Sequence, residues 1–299
     1  KLKFDIPLNN KEKFIFGVDT ERSHMDTQDQ YNAYDFKVSS SSSFYSYSNN
    51  TIKNLFIDAS FRSNHHDLFG LSSTYRIAGS YIIFNSGFRL HSSYGTGYRA
   101  PTLDEIYGSY GSVLIKEETS RSRDIGLEYT SSNNNITADL TFFATQIDNL
   151  IGYGPAPGYK FSNQGSAKNK GLEFFINYTL TKEIIINSHY NYLTTNNNGR
   201  SLSRRKKHSG KTSISYNPEN FSDLSFNSSI EYHSNARDGA FSGGHIAGYA
   251  LIHSNLNYNL NSNSKLHFKI DNLLDQKYSE ADTAGSYGRT LSLGIKINF

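Results

Sequence analysis

The sequence predicts an all-β protein, an antiparallel transmembrane β-barrel, and three observations carry that prediction. Apolar and polar residues alternate in block after block, the connections between blocks alternate in length, and the composition favours strands. Ser, Asn, Thr, Tyr and Phe are abundant, and 22 Tyr and 20 Phe make up the aromatic residues of the 299-residue chain, with no Trp. Strand side chains alternate with period two, so such blocks need one dry face and one wet face. A large β-sandwich or a β-solenoid meets that need, as does a barrel with lipid outside and water inside. No fixed repeat of roughly 20–50 residues supports the solenoid.

Taken in order, alternating stretches occur near 13–24, 36–48, 51–63, 71–84, 87–98, 120–131, 135–149, 166–180, 183–194 and 203–216. Four more close the chain. DLSFNSSIEYH sets Leu224, Phe226, Ile230 and Tyr232 against Ser225, Asn227, Glu231 and His233. ALIHSNLNYNL puts Ala250, Ile252, Leu256, Tyr258 and Leu260 opposite His253, Asn255, Asn257 and Asn259, and KLHFKIDNL puts Leu266, Phe268 and Ile270 opposite Lys265, His267, Lys269 and Asp271. TLSLGIKINF ends with Leu291, Leu293, Ile295, Ile297 and Phe299 on one face, and Ser292, Gly294, Lys296 and Asn298 on the other. The total is about fourteen strands of roughly ten or more residues, long against the five or six usual in soluble sheets.

Short connections near 48–50, 85–86, 132–135, 181–182, 217–222 and 261–264 are rich in Asn and Ser, which favour tight turns. Long ones are expected at 25–35, 64–70, 99–118, 150–165, 195–202, 234–245 and 275–286. Short turns at one end and long loops at the other are the asymmetry of outer-membrane barrels, with periplasmic turns and extracellular loops. In such a barrel Leu291 to Ile297 face lipid and Phe299 sits at the interface, where aromatic girdles lie and where a terminal barrel-assembly signal belongs.

Cysteine is absent, which removes disulfides, thiolate metal sites and a catalytic thiol. Thirty basic and 27 acidic residues are scattered without a long basic stripe, so nucleic acid is not an expected partner. No apolar run approaches the roughly 18 residues of a spanning helix. KLKFDIPLNN lacks Met and an export signal, so the chain is expected to begin after processing or within a longer protein.

Four stretches resemble the C-terminal half of TonB-dependent outer-membrane receptors, most closely the vitamin B12 (cobalamin) receptor branch. SYGTGYRAPTLDEIYG, 93–108, is similar to a family signature in which a strand rises, turns at Arg-Ala-Pro and enters an extracellular loop. ETSRSRDIGLEY, 118–129, resembles the following strand, although GSVLIKEE replaces the family's Asn-Pro…Leu…Pro-Glu approach. FSNQGSAKNKGLEFFINY, 161–178, is similar to the Asn-x-Gly…Gly-x-Glu stretch, and IDNLLDQKY, 270–278, with Gly288, Arg289 and Phe299 resembles the closing strand pair. Residues 1–84 carry the barrel pattern without a motif.

The resemblance implies that residues 1–299 are the C-terminal portion of a barrel of about twenty-two strands, the plug domain being absent from this chain. It implies active import of a scarce small-molecule nutrient, cobalamin-like or a metal chelate such as a siderophore, across a bacterial outer membrane. Implied partners are the TonB energy-transducing complex, acting through a plug not in this chain, outer-membrane lipids and lipopolysaccharide, and the barrel-assembly machinery; no cofactor is implied. A passive pore or structural barrel of about fourteen strands is the alternative.

In the receptor reading, ligand contact falls to tyrosines of the long loops: Tyr107 and Tyr110 in 99–118, Tyr153 and Tyr159 in 150–165. Each is equally a girdle or loop-packing aromatic. GYGPAPGYKF is expected to be a bent loop without helix or strand, holding Tyr153 and Tyr159 near the outer mouth. His65-His66-Asp67 offers metal-ligand chemistry, but neighbours on an extended chain point apart, which favours a polar loop tip. Asp26 and Asp29 match no complete calcium site and read as solvated carboxylates. Arg204, Arg205, Lys206 and Lys207 are the densest charge cluster, either facing lipopolysaccharide or serving as lumen or loop charges. Dispersed histidines and the lack of a Gly-x-Ser-x-Gly motif argue against an enzyme, with no catalytic or metal residue expected. His189, His253 and His267 are read as polar lumen residues.

Overall fold

The computed structural model describes residues 1–28, 33–154, 158–238, 244–281 and 284–298. Its strands are β1 (Leu2–Asn9), β2 (Glu12–Gln28), β3 (Ala33–Asn49), β4 (Leu55–His66), β5 (Gly70–Ile82), β6 (Phe88–Arg99), β7 (Glu118–Thr130) and β8 (Ile136–Asp148). They continue as β9 (Ile151–Tyr153), β10 (Phe161–Asn163), β11 (Ala167–Thr179), β12 (Ile184–Asn197), β13 (His208–Tyr216), β14 (Leu224–His233), β15 (Ala236–Arg237), β16 (His245–Ile246), β17 (Tyr249–Asn261), β18 (Ser264–Asp271) and β19 (Thr290–Ile297). One α-helix, α1 (Leu103–Tyr107), and a 3₁₀ turn at Glu219–Phe221 are the described helical pieces.

Fifteen strands hydrogen-bond in chain order from β1 to β19, skipping only the separate pairs β9–β10 and β15–β16, and β1 and β19 end that order. The ladders from β1 to β6 and from β12 to β19 are antiparallel. The chain divides into two compact units, Lys1–Ile125 with Phe143–Asn169 and Asn196–Gly199, and Gly126–Phe142 with Lys170–Thr195 and Arg200–Phe299.

In the first unit Phe4, Phe16, Tyr45, Phe61 and Tyr75 stand directly opposite one another from β1 to β5. The other face of the same sheet carries the row Asp19, Ser42, Asn64 and Ser72. There the Asp19 carboxylate accepts from the Ser42 hydroxyl at 2.6 Å and from Arg62 Nη2 at 2.8 Å. In the second unit Tyr216, Phe226, Leu256, Phe268 and Leu293 form one row and Ser215, Asn227, Asn255, Lys269 and Ser292 the adjacent one. A slip of one residue would exchange the two rows, so the pattern fixes the register. His189, His253 and His267 lie on the polar face, opposite Lys211, Ser229 and Asn257 respectively. His253 Nδ1 is 3.0 Å from Asp271 Oδ1. Leu291, Leu293, Ile295 and Ile297 are 48–79% exposed, so among the described residues none covers the apolar face of β19.

Several boundaries differ from the sequence reading. β1 was not expected, although Leu2, Phe4, Ile6 and Leu8 alternate with polar neighbours. Pro7 masks the signal, because proline donates nothing to a ladder and is confined to sheet edges and irregular positions. It sits where the β1–β2 register shifts, in a strand that ends the order. The long connections expected at 25–35 and 64–70 are mostly strand, since β2 runs to Gln28, β3 starts at Ala33, and only 67–69 separate β4 from β5. The stretch 203–216 begins as a loop, with β13 starting at His208, and 51–54 belong to a turn. Phe299, Asp29, Pro155 and Pro157 lie outside the described residues.

Candidate functional site at the long connections

The connection from β6 to β7 is built by local rules. Pro101 ends the strand, and Thr102 caps α1, its hydroxyl accepting from the Glu105 N–H while the Glu105 carboxylate accepts from the Thr102 N–H at 2.8 Å. Leu103 and Ile106 turn inward and are buried. At Gly111 the backbone approaches so closely that a Cβ would lie 2.6 Å from the Ile106 carbonyl, which only glycine permits.

Arg99, the last residue of β6, ties this connection to its base. Its Nη1 donates to Glu105 at 2.9 Å and its Nε to Glu118, the first residue of β7, at 2.8 Å. The other Glu118 oxygen accepts from the Ile151 N–H at 2.7 Å. One carboxylate therefore joins the 100–117 connection to the 149–166 connection. The latter is not the featureless loop expected: β9 and β10 form a small antiparallel hairpin, with Tyr153 opposite Phe161.

The structure brings Tyr110 and Tyr153 together and stacks Tyr107 elsewhere. Tyr110 and Tyr153 meet edge to face, centroids 6.2 Å apart, and Tyr153 stacks on Phe161 at 4.3 Å. The Phe161 N–H also donates to the Tyr110 carbonyl at 2.8 Å. Both tyrosines remain half exposed. Tyr107 instead stacks on Phe36 of β3 at 3.9 Å. Tyr159 is half exposed and held at φ 47°, a left-handed conformation uncommon for a bulky side chain. Phe161, Arg99, Glu105 and Glu118 were missed as site residues; the Thr102-x-x-Glu105 capping pattern was the available signal for part of that set.

Beside α1 lies a polar cavity of about 740 Å³ whose walls include Glu21, His24, Arg62, His66, Tyr98 and Asp104. Pro101, Thr102 and Leu103 also line it. His66 is buried against Phe69 and its Nδ1 accepts from the Leu68 N–H, while the Asp67 carboxylate accepts from the Ser39 N–H at 2.7 Å. The expected polar loop tip is thus the end of β4 and a tight turn clasped to β3. Asp26 lies within β2 opposite Asp35. Among the described residues no three His, Asp or Glu side chains gather as metal ligands.

The basic cluster is packed against its own unit. Arg204 Nε is 3.1 Å from both oxygens of Asp238, whose side chain is 3% exposed. Lys206 Nζ lies 4.0 Å above the Tyr249 ring, and burial pulls its ammonium below the ordinary lysine pKa. Lys207 Nζ stands 5.5 Å over Tyr192, and Arg205 is exposed.

A family profile described as TonB dependent receptor-like, beta-barrel matches residues 2–273. The vitamin B12 transporter BtuB of Vibrio vulnificus (strain YJ016) is 25% identical over 233 residues, which cover 76% of this chain and 37% of BtuB. Among solved structures, a mutant of the ferric enterobactin receptor PfeA of Pseudomonas aeruginosa in complex with enterobactin superposes with a TM-score of 0.85 at 17% identity, covering 99% of this chain and 53% of PfeA. The copper transporter OprC superposes with a TM-score of 0.82 at 18% identity, covering 97% of this chain and 54% of OprC. This chain thus spans about half the length of PfeA and OprC and matches 37% of BtuB, and the likeness to the two solved structures is one of fold.

Proposed function

The chain belongs to the TonB-dependent receptor-like β-barrel family, and from that premise we propose that it forms the C-terminal barrel portion of an outer-membrane receptor that actively imports a scarce small-molecule nutrient. The nutrient is cobalamin-like or a metal chelate, and the energy comes from TonB acting on a plug carried by other sequence. The apolar rows face lipid and the polar rows face the lumen. The names of BtuB, PfeA and OprC support this range of cargo.

One observation carries the reading: Tyr110, Tyr153 and Phe161, from two different long connections, form a half-exposed aromatic cluster at the strand ends opposite the short turns. Rigid aromatic area held on a scaffolded loop suits capture of a flat, partly apolar ligand, and the cavity beneath α1 supplies polar partners. The test uses the complete receptor containing this chain, in cells, with cyanocobalamin and ferric enterobactin as probes. Saturable uptake of one probe, abolished when TonB is removed, is expected. Replacing Tyr110 and Tyr153 together by Ala should weaken its binding by about 1–3 kcal/mol, roughly ten- to a hundredfold. Uptake that continues without TonB and never saturates would instead make the barrel a passive pore.

A further inference from the structure

The geometry points to the 100–117 and 149–166 connections opening and closing as a single unit, with Glu118 as the clasp between them. What this unit meets rests on the function proposed above; its coupling does not. Glu118 divides its two oxygens: one takes the Arg99 guanidinium, which also grips Glu105 of α1, and the other takes the Ile151 N–H at the base of the β9–β10 hairpin. The Glu105 and Glu118 side chains are 15% and 14% exposed and that of Arg99 is 41% exposed, so these charge-assisted bonds are shielded from water on the carboxylate side and open to it at the guanidinium.

Asn163 closes the same joint from the other side. Its Oδ1 accepts from the Lys116 N–H at 2.8 Å, and its Nδ2 donates to the Lys116 carbonyl at 2.9 Å and to the Asn149 carbonyl at 2.8 Å. The Phe161 N–H to Tyr110 carbonyl bond and the Tyr110–Tyr153–Phe161 rings complete the seam. Opening the hairpin alone would strand the Glu118 and Asn163 partners, so the two segments share one opening equilibrium. The consequence is positional: a ligand pressing on Tyr153 is felt through Glu118 and Arg99 at α1, and hence at Pro101–Asp104, which line the cavity beside it.

Hydrogen exchange on the complete receptor in detergent tests this without any ligand. Glu105→Gln weakens only the α1 side, since Glu105 has no bond to the hairpin among those described. Exchange should nevertheless accelerate in both 102–110 and 151–163 by a similar factor, about tenfold. In a Glu118→Gln background the same substitution should reach the hairpin more weakly, through the Asn163–Lys116 and Phe161–Tyr110 bonds that remain. Asn163→Ala makes the test from the hairpin side, with acceleration expected at 102–107. Heat-modifiable migration on gels checks that each barrel is folded. Acceleration confined to the loop that carries the substitution would overturn the shared unit, and would leave the proposal about ligand uptake standing.

Discussion

The rings of Phe36 and Tyr107 stack with centroids 3.9 Å apart and planes 10° from parallel. The pair pins the end of α1 to Phe36 of β3, about seventy residues earlier in the chain, and covers one face of the tyrosine. Tyr110, three residues further on, has its ring half exposed and turned to Tyr153 instead. Two tyrosines of the same connection thus divide into an anchor and a presenting side chain, which sequence spacing alone does not separate.

Tyr107→Ala should therefore loosen α1, by about 0.5–1.5 kcal/mol beyond the lost burial, while Tyr107→Phe keeps the stack and changes little. Exchange rates of the 102–107 amides in the complete receptor report this directly. Ligand affinity that falls in the Phe variant, with exchange unaltered, would make the Tyr107 hydroxyl a ligand contact after all.

Tyr159 supplies a test in which strain and contact predict opposite signs. Its φ of 47° costs a bulky L-residue roughly 1–2 kcal/mol that glycine does not incur. Tyr159→Gly should leave the hairpin fold intact and relieve that local strain, although the freer unfolded chain offsets part of the gain. Weaker ligand binding in this variant identifies the ring as a contact; unchanged binding assigns Tyr159 to the turn alone.

The strands were legible because apolar and polar residues alternate between the two faces of each strand, and every register pair in the row Tyr216, Phe226, Leu256, Phe268 and Leu293 repeats the same message. Loop order was less legible. Arg99, Glu105 and Glu118 lie far enough apart in sequence that only the fold shows them sharing charge, and Asn163 reads as one more loop asparagine until Lys116 is found beside it. The sequence leaves the Arg204–Lys207 cluster open between facing lipopolysaccharide and serving as lumen or loop charges, because Asp238, the partner of Arg204, comes thirty-four residues later.

Arg204→Ala should accordingly destabilise the 198–207 and 234–238 segments, because it strips a charge-assisted partner from a carboxylate that is 3% exposed. The loss is about 1–3 kcal/mol of local stability. Asp238→Asn, which keeps the shape and removes the buried charge, should cost less. Protease nicking of intact outer membranes at these segments reads the difference, and equal resistance of wild type and Arg204→Ala would show that the ion pair adds nothing.

The last prediction concerns which face meets lipid. Leu256 stands between Phe226 and Phe268, and its neighbour Asn255 stands between Asn227 and Lys269. In a membrane barrel a cation on the lipid side near mid-depth costs about 2–4 kcal/mol, whereas a lumen position already lined by polar groups accepts it at little cost. Leu256→Arg in the complete receptor should therefore sharply reduce the yield of heat-modifiable, membrane-inserted barrel, and Asn255→Arg should not. The two positions are adjacent, so their depth, strand and local β-propensity are nearly matched and only the face differs. A soluble sheet packed on a core of its own would also reject Leu256→Arg, but its product would appear in the aqueous fraction. Equal insertion of both variants would show that the Tyr216–Leu293 row does not face lipid.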